Sequence, residues 1–504
     1  MIVSSAAVDP RRVLDDAIAA LRSPEAELPL EDVDRALTVA PHDPRLWHVK
    51  GLIHRAQEKR ELALPALERA AQLAPSEAII VRGLARTKLE AGLPCVDDFA
   101  GALKVAPNDP DLVKGLVAAL AADGRSDEAV AGLEQALRRS PLWTDGHVLL
   151  AQMRWAEGDR KGFTRSFDEA LTHHPNSFEL RREQLVALVE AEHFDDAMAR
   201  IEQGRRLWGE HILFTSHEAA IRSESGDIEG GDRLFAELAP LDFANLDMWR
   251  VRHLLRSGRP DEASHVIDRW LGTPDEDLFW HYAAPTWRLT GDARSDWLEG
   301  NESLVGVYDI SDRLPPLEQL AATLRKLHVS KSEFFSQSVR GGTQTDGHLF
   351  QRIEPEIVAM REAIRATVAE HAAQLPAIDD KHPLLRSRPA RIEFTGAWSV
   401  RLTAGGKHSN HVHPMGWLSS ALYVVLPSDL GEDHAGCLTL GEPQAQLGLD
   451  LSPFRIVEPK PGRLALFPSW MWHGTRPFGE GERLTVAFDV ARGTPPNSSP
   501  STAN

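Results

Sequence analysis

Residues 409–427 read SNHVHPMGWLSSALYVVLP: two histidines separated by one residue, a Pro-Met-Gly turn, then a run rich in Leu, Val and Tyr. The run has the β-branched and aromatic content of a strand. Its neighbours repeat that grammar. RIEFTGAWSVRLT (391–403), GCLTL (436–440), FRIVEP (454–459), GRLALFP (462–468) and RLTVAFDV (483–490) are short, apolar or alternating, and bounded by Gly and Pro. Many short strands with such turns point to a closed or double-sheet β architecture, and a jelly-roll fits. On an extended chain residues i and i+2 face the same way, so His411 and His413 can reach one ion.

An HxH pair in a chain with 21 histidines says little by itself. A third candidate, His473 in FPSWMWHG, follows the strand GRLALF, and sequence-distant strand ends of a jelly-roll can converge on one metal while leaving coordination positions open. Ten residues beyond it, Arg483 opens RLTVAFDV with Thr485 on the same side. A guanidinium matches a carboxylate bidentately and a hydroxyl adds a further bond, which makes the pair a dicarboxylate anchor. Tyr423, one of three tyrosines, lies on the strand after the HxH pair, where its hydroxyl can join Arg483 or simply sit at the core edge. Asn410, Trp398, Ser399 and Arg401 lead into the pair, and their side chains are candidates for the pocket.

The N-terminal part has another rhythm. Prolines at 41, 75, 107, 141 and 175 recur at steps of 34, 32, 34 and 34 residues, each after a stretch such as LERAAQLAP or LEQALRRSP with small and apolar residues at helical spacing. Asp43-Pro44 and Asp109-Pro110 place an N-cap acceptor before a proline at the first helical position. Breakers such as AADGRSD and AEGDRKG supply a glycine turn between helices. The unit is helix, turn, helix, and the pattern supports six to eight copies. Stacked, such units form a solenoid whose concave face suits a peptide or protein segment, or else supports self-association. Trp47, Trp143, Trp155, Trp208 and Trp249 fall at helical spacing, which more often means core than groove.

Composition narrows the function classes. A formal charge of −18, from 56 Lys and Arg against 74 Asp and Glu, repels nucleic acid and anionic membranes. With only Cys95 and Cys437, no disulfide framework or cysteine-built metal site is available, and a reducing, cytoplasmic setting is expected. No stretch has the character of a signal peptide or reaches the length of a membrane span. A homodimer is compatible with the sequence but not required by it.

The order HxH, strand, GRLALFPSWMWH, then RLT resembles the double-stranded β-helix of the 2-oxoglutarate/iron(II) oxygenases. More narrowly, QSVRGGTQTDGHLF (337–350), NHVHPMGWLSSALYVVLP (410–427) and PGRLALFPSWMWHGTRPF (461–478) look like the oxygenase group found fused to tetratricopeptide repeats, which the 34-residue period resembles. The expectation is therefore a multidomain α + β chain. A tetratricopeptide-like α-solenoid spans 1–295. A jelly-roll domain spans 296–492, with a helical lead-in at 314–385 and a β core at 390–490, and a disordered tail covers 493–504.

The resemblance implies iron(II), 2-oxoglutarate and dioxygen as cofactor and cosubstrates. It makes His411, His413 and His473 the metal group. Arg483 becomes the partner of the 2-oxoglutarate C5 carboxylate, with Thr485, Tyr423 and Asn410 around it, and Arg340, Gln344, Trp398 and Arg401 lie on the substrate side. His413 stands where most of the superfamily carries Asp or Glu. Either three imidazoles hold the metal, or His413 stands behind it and water fills that position. The activity implied is hydroxylation of a peptide or protein side chain presented by the repeats. Three alternatives stay open: a small-molecule hydroxylase, a three-histidine cupin-type enzyme without 2-oxoglutarate, which Arg483 argues against, and a non-catalytic repeat scaffold.

Overall fold

The computed structural model describes residues 8–23, 26–331, 333, 335, 337–431 and 434–493, so the tail expected beyond Gly493 lies outside the described residues. Packing divides the chain into one unit of Met1–Arg139 with Asp346–Val358, and another of Ser140–Thr345 with Ala359–Asn504.

In the first unit the helix pairs begin at Pro10, Pro44, Ala78 and Pro110. The caps read from the sequence are present. Asp43 accepts from the Arg45 N–H at 2.9 Å and Asp109 from the Asp111 N–H at 2.9 Å, each with proline at the first helical position. Asp9 caps the first helix in the same way, at 3.0 Å from the Arg11 N–H. Such a cap stabilises its helix by about 1 kcal/mol.

In the second unit five further pairs begin at Thr144, Phe178, Ile212, Ala244 and Trp280. The described residues thus hold nine pairs rather than six to eight. The last pair escapes a sequence reading because Pro285 lies inside its first helix and its second, Arg294–Glu299, has only 6 residues. The turns follow the expected chemistry, with Gly124 in the first unit and Gly158 in the second at φ +73° and +95°, where a side chain would be strained.

Nine strands follow: β1 (Gly306–Asp309), β2 (Val339–Gln344), β3 (Phe394–His408), β4 (Leu418–Val425), β5 (Leu438–Leu440), β6 (Arg455–Val457), β7 (Arg463–Pro468), β8 (His473–Thr475) and β9 (Arg483–Val490). A six-stranded sheet runs β1-β7-β4-β9-β3-β2 and a three-stranded sheet runs β6-β5-β8, with every pairing antiparallel. This is the expected jelly-roll behind helical repeats. Two of its strands lie outside the expected β core. β1 is only 4 residues long and β2 is largely polar, and they become strands by pairing with β7 and β3. Val339–Gln344 carries a bulge at Gly341 (φ +74°). Gly342 beside it has no room for a Cβ against the Arg401 carbonyl.

Within the second unit the last repeats and the jelly-roll share one core. Val251, Leu254, Ile267, Trp280 and Trp287 pack with Leu438, Leu440, Phe467, Trp470 and Trp472. The Trp472 indole N–H donates to the His281 carbonyl at 2.6 Å. The change of element type near residue 295 therefore falls inside one packed unit. No helix among the described residues is long and apolar enough to cross a membrane.

Candidate metal centre

His411 and His473 are brought together by backbone pairing. The His411 N–H donates to the His473 carbonyl at 2.9 Å, and the His473 N–H donates back at 3.0 Å. Residues exchanging both bonds across an antiparallel pair lie directly opposite with side chains on one face. Their ring centroids are 4.2 Å apart. His413, two residues on, returns to that face, with its ring 5.0 Å from His411 and 5.2 Å from His473. One ligand atom from each of the three lies within 4.8 Å of the others.

The tautomers follow from the partners. His411 Nδ1 lies 2.8 Å from the Ser409 carbonyl, His473 Nδ1 lies 2.9 Å from the Met471 carbonyl, and His413 Nδ1 lies 2.6 Å from Asp489 Oδ2. Carbonyls and carboxylates only accept, so each Nδ1 holds a proton, and the buried His411 and His473 keep the lone pair at Nε2. The Ser338 hydroxyl, 3.2 Å from His411 Nε2, must therefore donate there, and its oxygen accepts from His408 Nδ1 at 3.1 Å. Burial pushes the His411 imidazole down to about 3, helped by the nearby His413, and holds His473 and His408 well below the usual range. Three imidazoles whose Nε2 atoms converge, that of His411 accepting from the Ser338 hydroxyl, fit a divalent transition metal bonded at about 2.1 Å.

The other end of β9 forms a second arrangement. Arg483, Thr485 and Asp489 alternate onto one face of the strand, and Tyr423 of β4 pairs directly opposite Thr485. Arg483 is 1% exposed and Tyr423 is fully buried. The guanidinium lies 5.1 Å from the Tyr423 ring centroid, and Arg483 Nε, Arg483 Nη1 and the Tyr423 hydroxyl have no hydrogen-bond partner among the described residues. Burial raises the Tyr423 hydroxyl above its ordinary value, with the Arg483 charge opposing the shift. A buried cation with open donors beside a buried, open hydroxyl fits a carboxylate.

A cavity of about 560 Å³ lies over the histidines. Its wall includes His411, His413, Trp398, Gln344, Arg340 and Asn410. Arg340 is tied to its own backbone, donating to the Val339 carbonyl at 2.8 Å, and the Asn410 amide donates to the Pro443 carbonyl at 3.1 Å. Asn410 is thus a wall residue of the cavity, and no hydrogen bond joins it to Arg483 among the described residues.

Arg401 is a correction. Strand alternation turns it to the face opposite Trp398, where its Nε bonds Glu482 at 2.6 Å. Ser399 faces that same side, with its hydroxyl 3.1 Å from His328 Nε2.

Several residues at the site were not singled out by sequence. Asp489 was findable, since it alternates in phase with Arg483 and Thr485 in RLTVAFDV. His408 ends β3 and stacks on His411 with ring centroids 5.9 Å apart. Glu190, the last residue of helix Phe178–Glu190, and Glu192, in the turn before helix Phe194–Trp208, also line the cavity. Only the tertiary fold could reveal that.

Residues 396–489 match the model of a family described as "Putative 2OG-Fe(II) oxygenase". No curated protein matches the chain. Similar solved structures include a tetratricopeptide repeat protein from Parabacteroides merdae, at 15% identity over 46% of this chain and 93% of that one, with a TM-score of 0.31. YrrB, a TPR protein with an unusual peptide-binding site, matches at 18% identity over 37% of this chain and 96% of its own, with a TM-score of 0.26. MamA (AMB-1) matches at 24% identity over 26% of this chain and 78% of its own, with a TM-score of 0.24. These three likenesses fall on the helical region. The family match and the three-histidine group support the oxygenase class for the C-terminal region.

Proposed function

We propose that this chain is a 2-oxoglutarate- and iron(II)-dependent dioxygenase that hydroxylates a peptide or protein side chain presented by its helical repeats. The observation that carries the reading is Arg483, a buried cation with two open nitrogens beside the open hydroxyl of Tyr423. An unpaired charge in such a place costs several kcal/mol. A diacid relieves that cost at one end and offers its other end to a metal.

Bound iron(II) supplies the oxidising chemistry: dioxygen and 2-oxoglutarate are consumed, succinate and CO2 are released, and one oxygen atom enters a C–H bond of the substrate. The protein's own residues hold and orient. His411, His413 and His473 offer Nε2 to the metal while Ser409, Asp489 and Met471 keep the Nδ1 protons. Arg483, with Tyr423 and Thr485 beside it, grips the C5 carboxylate.

Trp398, Gln344 and Arg340 form the substrate side of the cavity, and Glu190 and Glu192 bring repeat-derived carboxylates to the same wall. That sharing supports a substrate delivered by the repeats, bearing amide or cationic groups. In functional terms the repeats to about residue 295 present and residues 296–492 oxidise. The two cysteines, free and buried, suit a reducing, cytoplasmic setting.

The test is anaerobic loading with iron(II), titration of 2-oxoglutarate, then admission of air and measurement of succinate. The expected result is 2-oxoglutarate binding only with metal present and succinate formation that His473→Ala abolishes. A wild-type protein that takes up neither metal nor 2-oxoglutarate would sink the proposal.

A further inference from the structure

We infer that Asp489 supplies, through His413, the negative charge that this ligand set lacks, and so acts as a positioning residue for the metal. The inference rests on the metal reading above and extends it to a residue outside the ligand set.

All three donors are imidazoles, so a divalent ion among them meets no anionic side chain within the ligand set. A carboxylate stands one imidazole away. Asp489 Oδ2 accepts from His413 Nδ1 at 2.6 Å, and Oδ1 accepts from the Ser419 hydroxyl at 2.6 Å. Ser419 Oγ in turn lies 3.0 Å from Ser469 Oγ. Both carboxylate oxygens are engaged, and the side chain is only 14% exposed.

No lysine or arginine pairs with Asp489 among the described residues, and its one ionisable partner is His413. A largely buried carboxylate held by an imidazole and a hydroxyl is under-compensated. A cation on the far side of that imidazole completes the charge balance. In metal sites a carboxylate behind a ligating histidine fixes the tautomer, orients the ring and raises the basicity of the donor nitrogen.

The surrounding backbone makes the arrangement rigid. Ser419 and Asp489 are direct partners across β4 and β9, two central strands of the large sheet. The His413 N–H donates to the Ser469 carbonyl at 2.9 Å, and the Gly416 N–H donates to the His413 carbonyl at 3.0 Å. A Cβ at Gly416 would sit 2.5 Å from Ser469 Oγ, so any larger residue there would have to displace that hydroxyl. His413 is therefore held at its backbone and at Nδ1, with Nε2 left for the ion. The negative charge is supplied from β9, one hydrogen bond beyond the ligand set.

The experiment titrates metal-free protein with manganese(II), following free ion by electron paramagnetic resonance, and records melting of the metal-free protein in parallel. Asp489→Asn keeps the size and an acceptor oxygen but removes the charge. The expected result is manganese affinity 10- to 100-fold weaker, the range typical of such partners, with the metal-free melting temperature nearly unchanged. Asp489→Ser, which also removes the charge in a smaller side chain, is expected to weaken affinity to a similar degree, and it replaces Asp489→Asn as the deciding variant if that protein does not fold. Wild-type affinity in the deciding variant overturns the role of Asp489. Absence of manganese binding by the wild type overturns the metal reading itself, which is a separate result.

Discussion

At its C-terminal end β9 sets Asp489 in a closed group of hydrogen bonds with His413 and Ser419, whereas at its N-terminal end, on the same face, it buries Arg483 with two nitrogens open. The first end has its hydrogen bonds made without any ligand and lacks only a cation beyond the imidazole it holds still. The second carries a cost that only an added anion removes. One strand thus keeps a preformed metal support and a site awaiting an acid, and the two ends respond to mutation in opposite ways. Removing a partner at the closed end orphans a polar group, which destabilises. Removing the cation at the open end takes away an unpaired buried charge, and apolar replacement of buried charge is often neutral or stabilising.

The largest effect that can break this contrast is at Arg483. Arg483→Met is expected to weaken 2-oxoglutarate binding to the metal-loaded protein by about 100-fold or more, since loss of one partner of a buried charge pair costs about 2–5 kcal/mol. The melting temperature of the ligand-free protein should hold or rise. Titration calorimetry and a thermal melt check the two halves. A melting temperature several degrees lower with binding intact would mean that Arg483 has a structural task instead.

Tyr423→Phe sharpens the same comparison at smaller scale. It removes a buried hydroxyl with no partner, so the ligand-free protein should be as stable as wild type or slightly more so. Binding of 2-oxoglutarate should weaken by about tenfold, as expected for one hydrogen bond to a charged group. Unchanged affinity would leave Tyr423 as a core residue that packs against Arg483 and nothing more.

The residues that were legible in the sequence are those whose partners are local or periodic. Asp43-Pro44 and Asp109-Pro110 cap helices through contacts two residues long, and the 34-residue step repeats one supersecondary unit. His411 and His413 share a face by strand alternation alone. Alternation also separates Trp398 from Arg401, three residues apart, and that argument removes Arg401 from the pocket without a structure. Asp489 was open to the same reasoning. What sequence could not convey depends on pairing at long range. β1 and β2 have little apolar content of their own and become strands only at the edges of a sheet already formed. Glu190 and Glu192 reach the cavity because a repeat turn is folded against a domain that begins more than 100 residues later.

The smallest expected effect separates the sheet's two faces. His328 sits behind β3, on the side away from the metal, with Nδ1 2.8 Å from Thr343 Oγ1 and Nε2 3.1 Å from Ser399 Oγ. Burial, with the Arg401 charge adding to it, pushes its imidazole down to about 4. In the unfolded chain a histidine titrates near 6.5, so between about pH 6.5 and pH 4 the unfolded state binds the proton and the folded state does not. Stability from this group is therefore present above pH 6.5 and falls as the pH drops through that window. Between pH 7 and pH 6 the loss is under about 1 kcal/mol. Denaturant unfolding of metal-free wild type and His328→Gln at both pH values should show a shallower decline in the variant. An equal decline would place the proton uptake on the inner face, among the metal-facing histidines, and would show that the two faces do not titrate separately.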